Sequence, residues 1–156
     1  MIEPLRLSLV VGCDAAHAFE TWTTRASSWW PREHTASRER ALEVVFEPRV
    51  GGRIFERTAS GQEFDWGEIT VWEPPHRVGY LWHISGDRSA GTDVQIGFMR
   101  VTDSSTRVDI EHGGWDRFGA ERGSQLRDVN VGGWNGVLPV FARACGDPLV
   151  VEGSGS

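Results

Sequence analysis

From Leu42 onward the chain alternates apolar and polar residues with a period of two. Leu42, Val44 and Phe46 fall on one face, Glu43 and Glu47 on the other, as in a strand with one side buried and one in water. VGG then turns the chain, and RIFERT, carrying Phe55, reads as the returning strand of a hairpin. FDWGEITVWE follows and stops at Pro74-Pro75. In RVGYLWHIS the residues Val78, Tyr80, Trp82 and Ile84 share a face, which puts His83 on the other. After the loop GDRSAG, Val94, Ile96 and Phe98 are in phase, with Arg100 continuing that face near the strand end. TRVDIEHGG gives the clearest alternation, Val108, Ile110 and His112 inward and Arg107, Asp109 and Glu111 outward.

Upstream, Leu5 to Val11 is β-rich and reads as a first strand. Asp14 stands where a helix N-cap belongs, before AAHAFETWTT with Phe19 and Trp22 three apart. A second helical turn through Ser27, Ser28, Trp29 and Trp30 ends at Pro31, and the polar run Arg32 to Arg40 reads as loop. At the other end the spacing changes to three and four. Trp134, Val137, Leu138, Phe141 and Cys145 lie on one helical face. Gly132, Gly133 and Gly136 weaken that helix and Pro139 removes a donor from it, which predicts a start near Trp134 or a kink at the proline.

The expected order is one strand, two short helices, six strands joined by short turns, and a closing helix that covers the apolar sheet face. Short connections and two-period alternation predict an antiparallel sheet. Residues 1–150 form a single domain, and 151–156, ending in EGSGS, a polar flexible tail. The net charge of -6, without a basic block, argues against nucleic acid and anionic membranes as partners. Glu3, Pro4 and Arg6 interrupt what would be the apolar core of a signal peptide, and no run reaches membrane-spanning length. Cys13 and Cys145 show no metal or redox spacing and read as reduced thiols. The cytoplasm is the expected compartment, and no cofactor or metal is called for. Eight Trp and nineteen Gly stand out, meaning wide aromatic surface to bury and many turns.

Several short words, taken in order, resemble one family. They are Glu47-Pro48-Arg49-Val50-Gly51-Gly52-Arg53, then Gly67-Glu68-Ile69 with Glu73-Pro74-Pro75-His76-Arg77-Val78. Tyr80 and Trp82 follow, then Thr106-Arg107-Val108 with Glu111-His112, and Gly133-Trp134 with Leu138. The set resembles the START-like, or SRPBCC, superfamily, which includes polyketide cyclases, and within it the family named after the activator of heat-shock protein 90 ATPase. The resemblance implies an α+β helix-grip fold: a curved antiparallel sheet of about six to seven strands gripping a C-terminal helix, with a cavity between them.

No nucleophile elbow, phosphate loop or metal-ligand motif is present. His112 faces inward and is the one candidate acid or base; the bland alternative is a satisfied inner histidine. Arg100 is placed either to pair an anionic ligand at a cavity mouth or simply to reach solvent. Trp30, Trp66, Trp82, Trp115 and Trp134 come from elements that a grip fold gathers, either as core or around a void. Trp30, Trp66, Trp82 and Trp134, with Phe46, Phe55, Tyr80, Phe98, Arg100 and His112 from the sheet and Leu138 and Phe141 from the helix, make the expected ligand-binding set.

Three functions fit. The first is binding of a small apolar or aromatic molecule, by a monomer or homodimer, without evident catalysis. The second is a polyketide cyclase or aromatase-type enzyme using His112, helped by Arg100 or Tyr80. The third, suggested by the family name alone, is a chaperone-associated or other protein-interaction role. The co-chaperones that name the family carry an additional N-terminal domain, for which this chain has no room.

Overall fold

The structure, a computed structural model, describes residues 1–84 and 91–146. The expected tail 151–156 and the GDRSAG loop, apart from Gly91, lie outside the described residues. Strand β1 (Leu5–Val11) leads to helix α1 (Ala15–Trp22) and two 3-10 turns, Ala26–Ser28 and Arg32–His34. Strands β2 (Leu42–Phe46), β3 (Arg53–Thr58), β4 (Glu63–Glu73), β5 (Arg77–Trp82), β6 (Thr92–Thr102) and β7 (Ser105–Gly113) follow. A 3-10 turn, Trp115–Phe118, then introduces helix α2 (Ala120–Ala144).

The strands make one antiparallel sheet in the order β1-β7-β6-β5-β4-β3-β2. Consecutive strands are neighbours throughout β2–β7, and β1 completes the far edge. Register shifts at Ile54/Phe55, Ile69/Val71 and Arg100/Thr102 add local bends. The result is a curled half-barrel with α2 packed across its concave face, the helix-grip α+β fold. The β2–β3 turn needs its glycines. Gly51 has φ +84°, and a Cβ on Gly52 would meet the Glu47 carbonyl oxygen at 2.5 Å.

Inward alternation is regular where the sequence is. Val94, Ile96 and Phe98 on β6, and Val108, Ile110 and His112 on β7, are all buried. Asp14 caps α1, its Oδ1 accepting from the His17 amide at 2.8 Å. Phe19 on that helix packs edge-on against Trp72 and Phe98. Trp22 reaches the middle of the molecule, stacked on Trp134 with centroids 5.8 Å apart and edge-on to Phe141 at 4.9 Å. Burying each such ring contributes roughly 1.5–3 kcal/mol, so this cluster ties α1 and α2 together over the sheet.

Three details differ from expectation. Helix α2 starts at Ala120, far before Trp134, and runs unbroken past Pro139. Its first half is mostly exposed, so it carries no apolar stripe by which the sequence could reveal it. The second turn is a 3-10 segment at Ala26–Ser28 that stops short of Trp29 and Trp30. The polar run after Pro31 contains a further 3-10 turn, Arg32–His34.

Glu56, on the inward side of β3, is fully buried. Its Oε1 accepts from the Ala36 amide at 2.6 Å and the Trp66 indole at 2.8 Å, and its Oε2 from the Ser37 amide at 2.9 Å. One carboxylate thus fastens the segment after the Arg32–His34 turn to the sheet. Leaving the buried Trp66 indole and two partly buried amides without their acceptor is costly, so Glu56→Leu should lower stability by about 2–4 kcal/mol. Urea denaturation checks this, and an unchanged midpoint would contradict it.

Candidate functional site

Four residues from four elements form a hydrogen-bonded line across the inside of the grip. The Trp134 indole on α2 donates to His112 Nδ1 on β7 at 3.0 Å. His112 Nε2 lies 2.7 Å from Thr92 Oγ1 on β6, and that hydroxyl makes a longer 3.4 Å contact to the Trp82 carbonyl on β5. An indole N–H can only donate, so Nδ1 must carry the lone pair and Nε2 the proton. His112 is therefore the neutral Nε2–H tautomer. Thr92 accepts from it and passes its own proton toward Trp82. Burial enforces the neutral state, pulling the imidazole down from 6.5 to about 3.

Beyond this line, between α2 and the β3–β5 side of the sheet, lies a cavity of about 1000 Å³. Trp30 and Trp82, both half-buried, face it, with Trp134 and Tyr80 set deeper. Trp30 and Trp82 are 6.2 Å apart between ring centroids. Several of the polar groups there are engaged. Arg53 and Asp65 are paired at 2.6 Å, and Asn130 Nδ2 donates to the Leu126 carbonyl. The Tyr80 hydroxyl accepts from the Trp22 indole at 3.3 Å, and burial raises its pKa well above the ordinary phenol range. His34 lies against α2 at Gly136, where a Cβ would come within 2.3 Å of its Nε2. That glycine makes room for the imidazole. Gly133, one turn away, also borders the cavity, and a Cβ there would meet nothing within 4 Å.

Of the side chains expected from sequence to surround a ligand, Trp30, Tyr80, Trp82 and Trp134 are brought together on this cavity. Phe46, Trp66, Phe98 and Phe141 are buried in the packed core, with Leu138 partly buried against it. Phe55 lies beneath the guanidinium groups of Arg53 and Arg57, 4.1 and 5.3 Å from its ring centroid. Arg100 is exposed and paired with Asp103. His112 has both ring nitrogens bonded and does not line the cavity.

One placement corrects the sequence reading. His83 lines the cavity and is only 9% exposed, instead of standing on the outer face. Strand β5 ends at Trp82, so simple alternation no longer governs the next residue. His34, Gly133 and Gly136 were not singled out for the site either. Nothing in the polar run Arg32 to Arg40 marks His34 until α2 is placed against it. Among the described residues, no group of three or more His, Cys, Asp or Glu is placed to hold a metal ion.

The fold and cavity define a class: a small α+β domain that encloses a ligand-sized space between a curled sheet and one long helix. Residues 13–145 match the family described as activator of Hsp90 ATPase homolog 1-like protein, and the chain belongs to that family. No curated protein matches it. Among solved structures it is 30% identical to an anthrahydroquino-γ-pyrone synthase, Txn09, over 81% of this chain and 86% of that one, with a TM-score of 0.56. It is 25% identical to the self-sacrificing resistance protein CalC from Micromonospora echinospora, over 99% and 98% of the two chains, with a TM-score of 0.67. An HSP90 activator from Plasmodium falciparum is 18% identical over 94% and 99%, with a TM-score of 0.64. That last likeness shows the fold alone.

The state of His112 has a consequence for stability. The unfolded chain takes up a proton near pH 6.5, whereas the folded chain does so only near pH 3. Its contribution is complete above the unfolded value and is lost as the pH falls through this window, at no more than about 1.4 kcal/mol per pH unit. His112→Gln keeps an acceptor and a donor but cannot titrate. Stability measured by urea denaturation between pH 6.5 and 4 should fall more steeply in the wild-type chain than in this variant; equal slopes would contradict the assignment.

Proposed function

We propose that this chain binds a small, flat, apolar aromatic molecule in the cavity between its sheet and α2. The observation that carries the reading is the wall itself. Indoles from three separate segments, Trp30, Trp82 and Trp134, border a space of about 1000 Å³. Flat rings favour offset or edge-on aromatic neighbours, and a concave, mainly apolar site with a few polar handles is the usual anatomy of a small-molecule pocket. The relative at 30% identity is a synthase of an anthrahydroquino-γ-pyrone and the one at 25% a resistance protein, which supports a small-molecule role. The net charge of -6 favours neither nucleic acid nor an anionic membrane as partner. Among the described residues no helix is long and apolar enough to cross a membrane.

A second reading, turnover of such a molecule, is favoured by the relative that is a synthase. In that reading the proton carriers are imidazoles at the cavity, His34 or His83, because both nitrogens of His112 are already bonded.

Gly133 separates binding from folding. A leucine there has space within the cavity and raises helix propensity by about 0.8–1 kcal/mol relative to glycine. Gly133→Leu should therefore leave urea stability equal or higher while weakening naphthalene binding, measured by equilibrium dialysis, by at least about tenfold. A variant that binds naphthalene as the wild type does would sink the proposed location.

A further inference from the structure

We propose that His83 is the polar anchor of this cavity and selects aromatic ligands that carry a hydroxyl or carbonyl group. The inference rests on the cavity reading above and adds the functional group that the ligand presents.

His83 follows directly on β5. Its backbone amide donates to the Trp66 carbonyl at 2.7 Å, which carries the β4–β5 pairing one residue beyond the strand and fixes where the side chain leaves the sheet. The residue borders the cavity beside Trp82 and is only 9% exposed. Its Nδ1 is sealed from solvent and has no hydrogen-bond partner among the described residues.

The contrast with His112 gives this meaning. There, an indole and a hydroxyl hold both nitrogens and dictate the tautomer. At His83 no described group bonds Nδ1, so nothing at that atom fixes which nitrogen carries the proton. The imidazole can offer the cavity either an N–H or a lone pair, by exchanging tautomer or by turning about its Cβ–Cγ bond. Buried polar atoms are nearly always bonded, and one that is not calls for an explanation. A ligand that completes the hydrogen bonding of this ring supplies one.

Several of the other polar groups at the cavity are already committed. Arg53 and Asp65 hold each other, Asn130 donates to its own helix, and Tyr80 is taken by Trp22. A hydroxyl, which both donates and accepts, suits either state of the His83 ring; a carbonyl suits the N–H state. A purely hydrocarbon ring leaves the imidazole unanswered, and a site built to hydrogen-bond its ligand discriminates strongly against an analogue that lacks the group.

Equilibrium dialysis of naphthalene, 1-naphthol and 2-naphthol against the full chain tests this. In the wild type at least one naphthol should bind more tightly than naphthalene. His83→Leu should weaken that naphthol by about tenfold and leave naphthalene within about twofold. His83→Gln, which keeps a donor and an acceptor, should retain most of the preference, and circular dichroism checks that both variants fold. A naphthol preference that survives in His83→Leu, or an equal loss for naphthol and naphthalene, overturns the role of His83 and leaves the cavity reading standing. Failure of the wild type to bind any of the three overturns both.

Discussion

The grip depends on one buried imidazole that cannot afford a proton. Neutral His112 accepts from the Trp134 indole and donates toward Thr92, which in turn reaches the Trp82 carbonyl. Helix α2 is thereby fixed to β7, β6 and β5 by directional bonds as well as by ring packing. Protonation would put an N–H against an indole N–H, so the low dielectric around the ring and the geometry of the line enforce each other. The Trp134 indole and the backbone carbonyl of Trp82 stand at the ends of this line, and both residues border the cavity.

A second buried group plays the matching role at the mouth. Glu56 collects two backbone amides and the Trp66 indole, which holds the Ala36–Ser37 segment, and the turn that carries His34, over the cavity. Gly136 then lets α2 approach that turn. The glycines that make α2 look like a poor helix in isolation have different local meanings. Gly136 admits an imidazole, Gly123 admits the Trp115 carbonyl, and Gly133 leaves open space. Tertiary packing offsets the weak intrinsic propensity of this helix.

Most of the sheet was legible in the sequence because it has one wet face and one dry face, and such strands write their register as alternation. The order of elements and the family resemblance carried the fold. The site was legible only in part. Trp30, Tyr80, Trp82 and Trp134 could be gathered from the pattern, but a large inward ring in a strand reads the same whether it borders a void or fills the core, as Phe46 and Phe98 do. His83 escaped because alternation ends with β5, and His34 because its neighbour is a glycine about a hundred residues later. The first half of α2 escaped because an exposed helix has no apolar stripe to betray it.

The most direct test of the account is fluorine NMR of the chain labelled with 5-fluorotryptophan at all eight Trp positions, with resonances assigned by single substitution and naphthalene titrated in. Saturable shifts concentrated on Trp30, Trp82 and Trp134, with Trp115 and Trp29 little moved, are the result that an aromatic-binding cavity predicts. An absence of saturable shifts, or shifts spread evenly over all eight, would contradict it.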